Sequence, residues 1–227
     1  MRISYYKLSD CSGCMMNFFP LVRKIDSLEI VHFPNLTDMT KNDHPDVVII
    51  NGAVNPRDKE LIQRLKDIRD STEYLVALGS CACVGGITRF LMGEQAPSHE
   101  HINYVPLAEV LEVDFAVPGC PPATDIIEKL LRAIDAGNER YLVPFRNLSR
   151  ITKASFLDLH DEIVSPGLCA GCGMCVLSCP VGAIHLVRNR PELRPDRCIR
   201  CGTCYFRCPR MFVKLRETRS GGKSDGV

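Results

Sequence analysis

A cysteine motif that occurs twice in the last third of the chain constrains the fold more than any other feature. The first copy is Cys169-Ala-Gly-Cys172-Gly-Met-Cys175-Val-Leu-Ser-Cys179-Pro180. The second copy is Cys198-Ile-Arg-Cys201-Gly-Thr-Cys204-Tyr-Phe-Arg-Cys208-Pro209. Both follow the pattern C-x2-C-x2-C-x3-C-P, which is typical of regions that hold two [4Fe–4S] clusters.

The spacing within each copy predicts that its cysteines serve two different clusters. Three closely spaced thiolates can wrap one face of a cubane, and we expect the fourth cysteine to open a short helix that reaches the other cluster. The proline after it suits a first helical turn, where no amide hydrogen is needed. One predicted cluster therefore has the ligands Cys169, Cys172, Cys175 and Cys208. The other has the ligands Cys179, Cys198, Cys201 and Cys204.

Zinc is the main alternative for these eight cysteines, since two C-x2-C pairs can form a zinc site. Zinc explains neither the third cysteine of each copy nor the proline after the fourth. A disulfide framework is typical of small secreted domains. The chain has 13 cysteines in 227 residues, and its first residues lack an apolar signal core. We therefore expect a cytoplasmic protein whose thiols bind metal.

The first 140 residues alternate between strand-like and helix-like patterns, which predicts an α/β domain with a doubly wound parallel sheet. The strand candidates are residues 3–8, 28–33, 46–50, 74–78 and 115–117. Two amphipathic helical patterns begin at prolines, Pro56 and Pro122.

Five more cysteines follow three of these predicted strands. Cys11 and Cys14 follow the first strand, Cys81 and Cys83 follow the fourth, and Cys120 follows the fifth. Because sites in such sheets form beyond the carboxyl ends of the strands, thiols from the three segments should meet at one edge. The sequence thus predicts a third four-thiolate site. A redox pair of Cys11 and Cys14 is the alternative, but it leaves the other cysteines unexplained.

Cys81 and Cys83 compete for one ligand position in that site. We prefer Cys81, which directly follows the predicted strand and Gly79-Ser80. Cys83 is expected to be buried as a small apolar residue. Twelve of the 13 cysteines would then hold three [4Fe–4S] clusters.

Three segments together resemble the small subunit of [NiFe] hydrogenases. They are Cys11-Ser-Gly-Cys14, Gly79-Ser-Cys81-Ala with Gly85-Gly86, and Pro118-Gly-Cys120-Pro-Pro. With its C-terminal cysteine repeat, the chain is most similar to the gamma subunits of deazaflavin-reducing hydrogenases, from residue 3 to about residue 214. Related quinone-reductase subunits use adjacent paired cysteines, which this sequence lacks.

The resemblance implies a flavodoxin-like domain in which Cys11, Cys14, Cys81 and Cys120 bind a proximal cluster. The two ferredoxin clusters would be medial and distal. The implied partners form a hetero-oligomer: a hydrogenase-type large subunit with the nickel–iron site, and a flavoprotein or other redox subunit with the flavin. The chain itself would transfer electrons and have no substrate site of its own.

One position departs from the family pattern. Many relatives carry a glutamate after the third strand, where this chain has Asn51. An asparagine cannot relay a proton. The alternative function is therefore an iron–sulfur electron wire in a hydrogenase-derived complex that does not handle hydrogen.

The sequence also predicts a division of the chain. The flavodoxin-like domain would span residues 1–140, a linker 141–164, a small α+β ferredoxin-like domain 165–216 and a disordered tail 217–227. The net charge of +1 gives no indication of nucleic-acid binding. No apolar run approaches the roughly 20 residues of a membrane helix, so we expect no membrane partner.

Overall fold

The computed structural model describes residues 1–34, 44–86 and 104–211, so the predicted tail at 217–227 lies outside the described residues. The strands are β1 (Arg2–Lys7), β2 (Glu29–His32), β3 (Val47–Asn51), β4 (Tyr74–Leu78), β5 (Phe115–Val117), β6 (Ile184–Val187) and β7 (Arg190–Leu193). The helices are α1 (Gly13–Phe18), α2 (Leu21–Lys24), α3 (Lys59–Asp70), α4 (Gly79–Val84), α5 (Thr124–Asp135), α6 (Glu139–Leu148), α7 (Phe156–Leu159), α8 (Met174–Leu177) and α9 (Thr203–Phe206). Short 3-10 and π-helical turns cover Leu107–Glu109 and His160–Val164.

The first five strands form one parallel sheet with the order β2-β1-β3-β4-β5. This is the strand order of flavodoxin-like folds, which confirms the predicted fold class. The predicted strands 74–78 and 115–117 coincide with β4 and β5, and the bounds of the other three differ by one residue at each end. Every residue of β3 is buried because helices cover both faces of the sheet.

The strands contribute side chains to two apolar cores, one on each face of the sheet. Val48 and Ile50 face one core, whereas Val47 and Ile49 face the other, as the two-residue period of a strand requires. α3 packs on the first face, and α5 packs on the second through residues such as Leu130. The sheet therefore holds the carboxyl ends of its strands at one fixed edge.

The C-terminal region has far less regular structure. β6 and β7 form a two-stranded antiparallel sheet beside the four-residue helices α8 and α9. This region packs onto the first core, where Tyr205 and Phe206 join Leu159 and Ile163. The Tyr205 hydroxyl donates a hydrogen bond to Glu162 Oε2 at 2.7 Å. The segment formed by α7 and the π-helical turn after it therefore connects the C-terminal region to the sheet.

None of the helices in the described part of the chain combines the length and the apolar character that crossing a bilayer requires.

Candidate metal centres

The carboxyl edge of the five-stranded sheet brings together the thiols of Cys11, Cys14, Cys81 and Cys120. Cys11 follows β1, Cys14 lies on α1, Cys81 lies on α4, and Cys120 follows β5. The Cys14 thiol lies within electrostatic range of Cys81 and Cys11, and Cys120 lies within range of the same two residues. We refer to these four residues as the N-terminal site.

The inner side of the N-terminal site is buried in the protein, and its outer side is exposed to solvent. Cys14 and Cys81 are buried, Cys120 is half-buried, and Cys11 is exposed. Burial raises the pKa of the Cys14 thiol, and the neighbouring Cys81 and Cys11 raise it further. Without a compensating cation, such a cluster of thiols favours the neutral form. A bound metal reverses this preference, because a coordinating thiol is deprotonated outright.

Two glycines allow the backbone to approach these thiols closely. A Cβ atom on Gly79 would lie 2.2 Å from Cys14 Sγ, and a Cβ atom on Gly86 would lie 2.7 Å from Cys81 Sγ. Both glycines also have positive φ angles, of 83° and 40°, which residues with a Cβ atom rarely adopt. The site therefore needs glycine at both positions for steric and conformational reasons.

Cys83 lies inside the protein, near Cys14 and Cys81. Its side chain is buried, and its Sγ donates a 3.5 Å hydrogen bond to the Ala77 carbonyl of β4. Burial raises its thiol pKa. This contact with the core is compatible with a structural role, and the preference for Cys81 as the ligand stays a prediction.

The eight C-terminal cysteines are arranged around two separate cavities. Cys169, Cys172, Cys175 and Cys208 line the first cavity, which we call the outer site. Cys179, Cys198, Cys201 and Cys204 line the second cavity, which we call the middle site. Each site thus takes three cysteines from one copy of the motif and one from the other. Backbone amides point at the sulfurs, as Gly171 N does to Cys169 Sγ at 3.4 Å and Ala183 N to Cys179 Sγ at 3.2 Å.

One local prediction about these motifs is wrong for the first copy. There the fourth cysteine does not open a helix: α8 ends just before Cys179, and a turn follows. In the second copy α9 ends just before Cys208, and Met211, the last described residue, is helical, so the prediction for Cys208 stays a prediction. In both copies the third cysteine lies on the helix and the fourth follows its last turn. The fourth thiol therefore lies beyond the C-terminal end of the helix. Pro180 cannot extend the helix because it lacks an amide hydrogen.

The donor sets fit a polynuclear cluster at each site. Four cysteines line the cavity of the outer site, and four others line the cavity of the middle site. A four-thiolate zinc site would need all its sulfurs about 2.3 Å from one ion. Each thiolate of a [4Fe–4S] cluster binds a different iron, so four cysteines spread around a cavity suit that cofactor.

The N-terminal and middle sites are neighbours, which the sequence did not reveal. The thiols of Cys120 and Cys201 interact with each other, which raises the pKa of the Cys120 thiol and lowers the pKa of the Cys201 thiol. Cys120 also lines one groove together with Thr203, whose hydroxyl lies 3.3 Å from Cys201 Sγ. The two sites therefore meet at Cys120 and Cys201.

Family models match both parts of the chain. A model described as NADH ubiquinone oxidoreductase, 20 Kd subunit, matches residues 11–134. A model described as a 4Fe-4S dicluster domain matches residues 168–213. Together with the parallel sheet and the grouped cysteines, these matches define an iron–sulfur subunit of an oxidoreductase complex.

Several curated relatives are hydrogenase subunits. The chain is 38% identical to the coenzyme F420 hydrogenase subunit gamma of Methanosarcina barkeri, over 95% of this chain and 89% of the relative. It is 34% identical to the subunit of the same name from Methanococcus voltae, over 85% and 88%. A solved NAD+-reducing [NiFe]-hydrogenase chain aligns with a TM-score of 0.48 and 26% identity, over 60% of this chain and 92% of that one. The chain belongs to the family of coenzyme F420 hydrogenase gamma subunits, which confirms the predicted resemblance.

Proposed function

We propose that this chain is the electron-transfer gamma subunit of a cytoplasmic [NiFe] hydrogenase complex and holds three [4Fe–4S] clusters. The observation that carries the proposal is the grouping of twelve cysteines into three sets of four. Each cluster, when bound, would accept and release one electron at a potential set by its surroundings. Membership of the hydrogenase gamma family supports the reaction class.

The arrangement of the sites favours one order along the relay. The N-terminal site adjoins the middle site through Cys120 and Cys201. Cys201 and Cys204 are buried, so the protein shields the middle-site side of the junction from water. The outer site lies at the surface, since Cys172 is exposed. We therefore place the N-terminal site first, the middle site second and the outer site last.

Exposed apolar side chains mark where partners would dock. Met16 and Phe19 are 64% and 40% exposed beside the N-terminal site, where a large subunit with the nickel–iron centre would cover them. Met174 and Leu186, which line the outer site, are 43% and 39% exposed. A flavoprotein that reduces a deazaflavin, as the names of the relatives suggest, would dock there.

Asn51 favours a second candidate function. It lies fully buried at the end of β3 and donates its side-chain amide to Asp10. Because an amide cannot relay a proton, the second candidate is an electron wire in a complex that does not handle hydrogen.

Metal analysis of the anaerobically purified chain tests the cofactor assignment. We expect about twelve irons and about twelve acid-labile sulfides per chain, with a brown colour that reductant bleaches. About eight irons, with no further loss in a Cys14→Ala variant, would show that the N-terminal site holds no cluster. Stoichiometric zinc without visible absorption would contradict all three assignments.

Purification of the native complex separates the two candidate functions. A hydrogenase should contain nickel and oxidise hydrogen with concomitant reduction of a deazaflavin. If nickel is absent while the complex still transfers electrons, the hydrogenase assignment is wrong and the electron-wire function replaces it.

A further inference from the structure

Asp10, the residue before Cys11, carries a buried carboxylate beneath the N-terminal site. Only 2% of its side chain is exposed. Its Oδ1 accepts a 2.6 Å hydrogen bond from the Ser12 amide, and its Oδ2 accepts one from Asn51 Nδ2. Burying a carboxylate costs free energy unless partners compensate for the lost hydration. The burial of Asp10 at this position therefore needs an explanation.

The strand register fixes the partners of Asp10. Lys7 is paired with Asn51 across β1 and β3, and Lys7 Nζ lies 3.7 Å from Asp10 Oδ1. The Lys7 side chain is 34% exposed, so its charge is partly screened by water. A cation and an amide from neighbouring strand ends therefore flank one carboxylate at the edge where the cysteines meet.

Asp10 also shapes the loop that carries two of the cysteines. Ser12 has a left-handed φ of 67°, which is unfavourable for a residue other than glycine. The hydrogen bond from the Ser12 amide to Asp10 stabilises this turn, as aspartate commonly does two residues before an amide. The turn then leads directly into α1, so it determines where Cys11 and Cys14 point.

The charge of Asp10 reaches the site itself. It contributes to the raised pKa of Cys14, after burial and the neighbouring cysteines, and to the raised pKa of Tyr5. The Tyr5 hydroxyl and Asn51 Oδ1 are buried without a hydrogen-bond partner in the part of the chain that the structure describes.

We propose that Asp10, with Lys7 and Asn51, is a positioning and electrostatic unit that sets the reduction potential of the N-terminal cluster. Reduction adds one electron to the site, so a nearby carboxylate opposes it and a nearby ammonium favours it. Asp10 lowers the potential, and Lys7 partly offsets that effect. This inference rests on the proposed function, because it requires a cluster at the N-terminal site.

The test is a dithionite titration of the holo full-length chain, followed by electron paramagnetic resonance. Asp10→Asn, which keeps the side-chain shape, should shift the midpoint potential of one cluster to more positive values. Lys7→Met should shift the same cluster to more negative values. Asp67→Asn is the matched control: Asp67 is an exposed carboxylate in the last turns of α3, at the opposite edge of the sheet. The control and the other two clusters should not change.

Shifts of opposite sign support the inference, since a purely structural role would not reverse with the sign of the charge. Unchanged potentials, or shifts of the same sign, would overturn it. If Asp10→Asn fails to assemble the cluster, Lys7→Met decides, because it keeps the hydrogen bonds to Asp10. A wild-type chain with about eight irons would refute the N-terminal cluster of the proposed function. Three clusters with unmoved potentials would refute only this inference.

Discussion

The N-terminal site and the two C-terminal sites hold their cysteines by different means. The N-terminal cysteines come from three segments far apart in the chain, and a five-stranded sheet brings them together. Each C-terminal site takes three cysteines from one short run, around a two-stranded sheet and two four-residue helices. Protein packing positions the first set, whereas local sequence spacing positions the other two.

This difference has a thermodynamic consequence. The sheet region has an apolar core on each face, so we expect it to fold without metal. A two-stranded sheet is marginal by itself, and in small metal-binding domains the free energy of metal binding is also folding free energy. The C-terminal region should therefore depend on its clusters, while the N-terminal site should be formed before its cluster binds.

Removal of iron tests this difference between the two regions, and we expect it to give the largest effect. After anaerobic chelation, amide hydrogen-exchange protection in β6 and β7 should fall at least about 100-fold, because cluster binding stabilises that region. Protection in β3 and β4 should stay close to that of the holo chain. Equal loss of protection in β3 and β6 would show that the whole chain depends on its clusters.

Each C-terminal site takes one cysteine from the other copy of the motif, and loss of that cysteine should remove one C-terminal cluster. Cys208→Ala should cost about four of the irons, and it should empty the outer site although Cys208 lies near Cys204 in sequence. Double variants identify the site: Cys208→Ala with Cys172→Ala should lose no more iron, whereas Cys208→Ala with Cys204→Ala should lose about eight. The reverse pattern of iron loss would contradict the assignment in which each site takes its fourth cysteine from the other copy of the motif.

Gly79→Ala should damage the N-terminal site alone. The added Cβ would lie 2.2 Å from Cys14 Sγ, so iron content should fall toward about eight per chain while the C-terminal clusters remain. Gly137→Ala is the control, since Gly137 also has a positive φ but has nothing within 4 Å of an added Cβ. If both variants lose the same amount of iron, backbone strain and not the contact with Cys14 is responsible.

Cys83→Ala should have the smallest effect. It removes a buried sulfur that contacts the Ala77 carbonyl, so the free energy of unfolding should fall by about 1 kcal/mol in a denaturant titration. Iron content should equal that of the wild-type chain. A loss of about four irons would instead identify Cys83 as a ligand in place of Cys81.

Much of the fold could be predicted from local patterns. The predicted strands at 74–78 and 115–117 match β4 and β5, since short apolar runs between helical patterns are typical of buried parallel strands. The carboxyl-edge rule predicts that the N-terminal cysteines meet beyond the strand ends, and the structure brings Cys14, Cys81 and Cys120 close together there. The short helix beside Cys179 was predicted to follow that cysteine, but it precedes it, because the boundaries of such brief elements depend on packing.

The kind of cofactor and the fold class follow from the amino-acid sequence, because the cysteine spacing and the alternation of strands and helices are local properties. The proximity of Cys120 to Cys201 and the burial of Asp10 between Lys7 and Asn51 are visible only in the folded chain. These contacts join residues from different strands and loops. They follow from the sheet register and from the docking of the C-terminal region, which no short stretch of sequence encodes.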